Sequence, residues 1–171
     1  MQFQQLYLFI INKLDKELPS HITYHTAEHT KSVIQAVEEL AAGENIYGEE
    51  LVLLKTAALF HDTGFLQGHR EHEELSCVIA REHLPDFDYA PEQVEQICGM
   101  IMATRLPQQP TDRLAGLLCD ADLYYLGTDA YTVNAENLYL ELKKEGVVSN
   151  KASWLLKQIE FLASHRYFTA S

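Results

Sequence analysis

The sharpest chemical feature of this sequence is the pair His61-Asp62. It closes an almost wholly apolar run, Leu51-Val52-Leu53-Leu54-Lys55-Thr56-Ala57-Ala58-Leu59-Phe60. That run has helical length and is apolar nearly all round, so it predicts a buried central helix, with Gly64 reading as its C-terminal stop. An imidazole and a carboxylate at the edge of a core each need a partner. A metal ion satisfies both, and hydrogen bonds to backbone or water are the plainer alternative.

Three further clusters carry titratable groups. In Tyr24-His25-Thr26-Ala27-Glu28-His29-Thr30 the two histidines are four apart and share a face if both are helical. Gly68-His69-Arg70-Glu71-His72-Glu73-Glu74 lies just beyond the central helix. Cys119-Asp120-Ala121-Asp122-Leu123 sets two carboxylates inside an apolar stretch, so at least one should point inward. Guanidinium forks match phosphate oxygens, which makes Arg70 and Arg105 candidate phosphate clamps, although most arginines are simply solvated.

The elements that must position these residues read as helices. No segment sustains a period-two alternation, and there is no Asn-Gly or Asp-Gly turn. Helices are expected at about Phe3–Leu18, Thr26–Ala42, Glu49–His61, Glu71–Leu84, Pro91–Ala103, Asp112–Leu126, Asp129–Glu145 and Lys151–His165. Leu106-Pro107-Gln108-Gln109-Pro110 is a proline-rich connector. Neither repeats nor long linkers divide the chain, which implies an all-α, single-domain bundle of about six to eight helices over residues 1–171.

Composition narrows the function. The 171 residues can bury a substantial core, and 47% apolar with 22% charged residues is ordinary for a soluble domain. A net charge of −12 argues against nucleic-acid binding by phosphate neutralisation. An anionic substrate would need a local positive centre, which a bound metal provides. Cys77, Cys98 and Cys119, odd in number and far apart, suit buried free thiols in a reducing compartment. No run approaches the length of a membrane span and the first residues do not read as a signal peptide, so the expected location is cytoplasmic.

The order His, then His-Asp, then Asp, spread over separate helices, resembles the HD-domain superfamily of metal-dependent phosphohydrolases. Ala57-Ala58-Leu59-Phe60-His61-Asp62-Thr63-Gly64 looks like its central motif. Tyr24 to Thr30 is similar to its first-histidine helix, and Ala121-Asp122-Leu123 sits where the family has its final aspartate. The resemblance covers about residues 24–126, with further helices over about 129–165. It implies that His29, His61, Asp62 and Asp122 ligate one divalent metal: Mn, Fe, Co, Ni, Zn or Mg. Asp62 is also expected to hold the attacking water.

The dinuclear branch of the superfamily carries two further histidines. His72, or His69, could supply one, but no histidine stands near Ala103-Thr104, where the other belongs. One metal per chain is therefore expected, and dinuclear iron oxygenase chemistry is disfavoured. Asp120 reads either as a substitute ligand or as a carboxylate orienting His29 or His61.

His72, Glu73 and Arg105 are the remaining catalytic candidates, beside Asp62. His25 is open between a substrate contact and a capped helix start. His21, His83 and His165 read as structural, and Tyr124, Tyr125, Tyr131 and Tyr139 read first as packing. The expected function is hydrolysis of a phosphoester of a nucleotide or another small phosphorylated metabolite. The alternative is a non-catalytic HD module that binds metal or a nucleotide for signalling. No nucleic-acid or membrane partner is expected, and the last helix could pack on a second copy in a homo-oligomer.

Overall fold

The computed structural model describes residues 1–170. Among them are eight α-helices and no strand: α1 (Phe3–Glu17), α2 (Ala27–Gly43), α3 (Gly48–Phe60), α4 (His72–His83), α5 (Pro91–Ala103), α6 (Arg113–Asp122), α7 (Tyr131–Lys144) and α8 (Lys151–Ser164). Short 3-10 turns follow α3, α4 and α6, at Thr63–Leu66, Leu84–Phe87 and Tyr124–Gly127. No helix among the described residues is long and apolar enough to cross a membrane.

The ends are set by local chemistry. The Thr26 hydroxyl accepts from the His29 N–H at the start of α2, and Asp112 accepts from the Ala115 N–H (2.9 Å) at the start of α6. Asn150 accepts from Ser153 N–H at the start of α8, and Pro91 occupies the first turn of α5, where its missing N–H costs nothing.

Helix α3 is central, packed against α2, α5 and α6. Leu53, Leu54 and every residue from Thr56 to Phe60 are buried. Leu59, Phe60, Ile97, Ile101 and Leu117 belong to one continuous core. A smaller cluster of Tyr139, Val148 and Trp154 ties α7 to α8, whose outer face leaves Leu155, Leu156, Ile159 and Leu162 exposed. All three cysteines are buried and free.

Two expectations need correction. The helix predicted over Asp112–Leu126 stops at Asp122. There the hydrogen bonding tightens to i,i+3, Leu126 N–H reaching the Leu123 carbonyl (3.1 Å), and the same carbonyl accepts the Tyr167 hydroxyl (3.2 Å). Gly64 is not a left-handed C-terminal stop, since α3 ends at Phe60 and positive φ is confined to other residues. Gly64 is glycine because a Cβ there would meet the His72 carbonyl oxygen at 2.0 Å. His25 lies before the α2 cap, outside the helix as the expected start at Thr26 has it, so it does not share a helical face with His29.

Candidate metal centre

Four residues from three helices converge at the heart of the bundle. His29 lies in the first turn of α2, His61 and Asp62 follow α3, and Asp122 is the last residue of α6. One ligand atom from each lies within 4.8 Å of the others. Asp62 Oδ2 is 2.9 Å from His61 Nε2 and 3.3 Å from His29 Nε2. Asp122 Oδ1 is 3.2 Å from His29 Nε2 and 3.4 Å from His61 Nε2. The two imidazole nitrogens are 3.3 Å apart. Ligand atoms about 2.1 Å from a shared ion and at right angles about it lie about 3 Å apart, which is the spacing found here.

The tautomer of His61 sharpens this. Its Nδ1 is 2.7 Å from the Ala58 carbonyl oxygen, which can only accept, so Nδ1 carries a proton. Neutral His61 therefore turns the Nε2 lone pair toward Asp62 and His29, and a proton or a cation has to lie between them. Asp62 Oδ2 is fully enclosed yet has no aligned hydrogen-bond donor. A buried carboxylate oxygen left in this way is the mark of an ion site. Two imidazoles and two carboxylates form a donor set that suits a divalent transition metal or Mg.

The metal-free electrostatics agree. Burial alone would depress the His61 imidazole, but the Asp62 charge and its bond to Asp122 hold it well above the usual range. His29 is raised too, burial being outweighed by its bond to Asp122 and by the charge of Asp62. Asp62 is driven well below the ordinary carboxylate range: burial opposes this, and the charges of His61 and His25 overcome it. Asp122 is lowered likewise, bonds from His29 and His61 outweighing its burial. Protons thus occupy the place a cation would take.

The cluster opens on a cavity of about 780 Å³ that Asp62 and Asp122 help to line. His72, Glu73 and Arg105 line it as well, in a connected row. His72 Nε2 is 3.5 Å from both Asp62 Oδ1 and Glu73 Oε1, and the buried Glu73 is 3.5 Å from Arg105 Nε. Arg105 also donates to Glu74 (3.1 Å). Arg70 stands exposed at the mouth, with no ion-pair partner among the described residues.

Asp120 is neither ligand nor support for His29 or His61. Its carboxylate accepts the N–H groups of Phe168 (2.9 Å) and Thr169 (2.8 Å) and the Thr169 hydroxyl (2.7 Å).

Several site residues escape sequence reasoning. Buried Glu141 of α7 accepts from the N–H groups of Thr23 (2.9 Å), Tyr24 (2.8 Å) and His25 (3.2 Å), and from His25 Nδ1. It fixes the segment before α2 and aims His25, whose ring stacks on Phe65 at 4.0 Å. Burial works to raise the Glu141 carboxyl, and His25 with the backbone donors lowers it. Glu145, one turn on, pairs with His21 (2.6 Å) and His69 (2.8 Å) at the mouth, so neither histidine is an isolated surface group. Ser76 accepts the Gly64 N–H and donates to the His61 carbonyl, both at 2.8 Å, clamping the turn that carries the metal pair. The i,i+4 spacing of Glu141 and Glu145 was visible in the sequence. Their partners, far earlier in the chain, were not.

The tyrosines divide between roles. Tyr139 packs in the α7–α8 cluster as expected, whereas Tyr125 lines the cavity with its ring 5.5 Å from that of Tyr24.

With this geometry established, comparison with known proteins gives a family. Residues 26–126 match the HD domain model, and the chain belongs to the HD domain family. The fold is similar to that of a predicted HD superfamily hydrolase from an uncultured Thermotogales bacterium, known from its crystal structure. The two are 22% identical with a TM-score of 0.61, over 93% of this chain and 91% of that one. No match is found among the curated proteins.

Proposed function

We propose that this chain is a metal-dependent phosphohydrolase that cleaves a phosphoester of a nucleotide or another small phosphorylated metabolite. The observation that carries the reading is the enclosed His29–His61–Asp62–Asp122 cluster with an undonated Asp62 oxygen, set at the wall of a cavity edged by Arg70 and Arg105. An anion entering an acidic protein needs a local positive centre, which a bound ion together with the two arginines would supply.

The four ligand side chains would hold one divalent ion, which when bound polarises a phosphoryl oxygen and lowers the pKa of water. The chain's own residues supply the rest. Arg105, held by Glu73 and Glu74, and the unpaired Arg70 bind the remaining phosphoryl oxygens. Asp62 Oδ1 faces His72 Nε2, so these two can hold a water by its protons and move one along to Glu73. His25, with Nδ1 fixed by Glu141, keeps Nε2 without a partner among the described residues, and as an imidazolium it can give the Nε2 proton to the leaving oxygen. Phe65, stacked on His25 and 4.4 Å from the His72 ring, keeps both imidazoles in place and water out from behind them.

The test is a phosphoester screen on protein reconstituted with each of Mn, Fe, Co, Ni, Zn and Mg. Turnover with at least one metal is expected. It should fall by about 10²–10⁴ in His25→Ala and by about tenfold or more in Arg105→Ala. Metal binding without turnover of any nucleotide, sugar phosphate or simple aryl phosphate would point to a binding module instead.

A further inference from the structure

Asp120 is almost wholly buried, two residues before the ligand Asp122, and the metal cluster makes no use of it. No Lys or Arg neutralises it among the described residues. Its partners all come from the segment that follows α8. Oδ1 and Oδ2 accept the Phe168 N–H at 2.9 and 3.1 Å, and Oδ2 accepts the Thr169 N–H at 2.8 Å and its hydroxyl at 2.7 Å.

One residue beyond Asp122, the Leu123 carbonyl takes the Tyr167 hydroxyl at 3.2 Å. One turn before Asp120, Gly116 faces this segment: a Cβ there would lie 3.4 Å from Phe168 Cβ, an ordinary packing distance. The segment therefore touches α6 at Gly116, Asp120 and Leu123, a row that brackets Asp122.

Hydrophobic burial holds this segment only in part: Tyr167 is 46% exposed and Phe168 47%, so nearly half of each remains in water. The charge-assisted bonds to Asp120 are its strongest polar attachment, and a buried carboxylate deprived of them would have to move toward solvent. That movement displaces the last turn of α6. Asp122 is the final helical residue of that turn, followed directly by the change to i,i+3 bonding, so nothing later in α6 holds it.

We propose that residues 167–169 form a positioning strap for the metal centre: by satisfying Asp120 and Leu123 they set the end of α6 so that Asp122 reaches His29 and His61. This extends the site past residue 126, where the HD domain match ends. Asp120, Tyr167 and Thr169 become positioning residues that touch neither ion nor substrate. The proposal rests on the metal-centre reading above.

The experiment is a titration of the full-length chelated protein with Mn and with Co, read by binding isotherm and Co absorption. It compares wild type, Asp120→Asn, Thr169→Val and Thr169→Ser, each with its melting temperature in chelator. Asp120→Asn is expected to weaken metal affinity by about tenfold or more, and Thr169→Val by a fewfold, with Thr169→Ser close to wild type. Linkage requires the converse: saturating metal should slow hydrogen exchange at the Phe168 and Thr169 amides.

A merely structural strap would lower the chelated melting temperature and leave the isotherm, the Co spectrum and the exchange rates unchanged. That result overturns the proposal. If Asp120→Asn fails to fold, Thr169→Val and the exchange experiment decide alone. Absence of metal binding in the wild type refutes the metal centre itself, a failure distinct from equal binding in wild type and variants.

Discussion

At the scale of single residues, the cluster is a contest between protons and a cation for the same lone pairs. His29 and His61 have raised pKa values in the metal-free fold, so they contribute stability that is fully present below about pH 6.5 and is lost as pH rises through their folded values. Asp62 and Asp122 are lowered, so their contribution is present above about pH 4 and is lost as pH falls toward their folded values. Chelated protein should therefore melt highest between about pH 4 and 6.5 and lose stability on going to pH 8. Metal needs deprotonated imidazoles, so its stabilisation should grow over the same rise. Melting curves at pH 5, 6.5 and 8, with chelator and with Mn, check both signs. A chelated melting temperature that climbs steadily to pH 8 would mean that the histidines are not held protonated by the two aspartates.

At the scale of elements, the turn after α3 is the critical joint. Gly64 packs directly on the His72 carbonyl, and Ser76 bridges its N–H to the His61 carbonyl. Gly64→Ala should part that turn from α4 and cost about 2–4 kcal/mol in denaturant unfolding. Ser76→Ala leaves a buried N–H and a buried carbonyl short of a partner, for about 1–3 kcal/mol, with weaker metal binding because His61 loses its clamp. Glu141→Ala removes an acceptor shared by three backbone donors and His25, and should cost about 2–4 kcal/mol with a loss of turnover.

These are the contacts that sequence reading could not supply. Helix α3 was legible because an apolar run of helical length has few alternatives, and the four metal candidates because their types and order are chemically distinctive. The early end of α6 was not legible, because Leu123 to Leu126 continue a helical pattern and only the Tyr167 hydroxyl and the i,i+3 bond show the break. Asp120 read as a ligand or a support for His29 or His61 because its partners lie 48 and 49 positions later in the chain. Gly64 read as a helix stop because a close-approach glycine and a left-handed one look alike in a sequence.

At the scale of the whole molecule, one bundle carries −12 charges and sets two arginines, Arg70 and Arg105, at the cavity beside the metal cluster. The ligands come from segments far apart in the chain, so an ion that ties them together binds the folded state and not the unfolded one. At a free metal concentration of about a hundred times Kd, this coupling is worth about 2.7 kcal/mol, or a rise of about 5–10 °C in Tm for a chain of this size. The most direct test of the central claim is the metal content of the purified or reconstituted chain beside that of Asp62→Ala. The account predicts about one divalent metal per wild-type chain, with a matching rise in Tm, and neither in the variant. A wild type that takes up no metal from any of the six candidate ions, or a variant that retains it, would contradict the account.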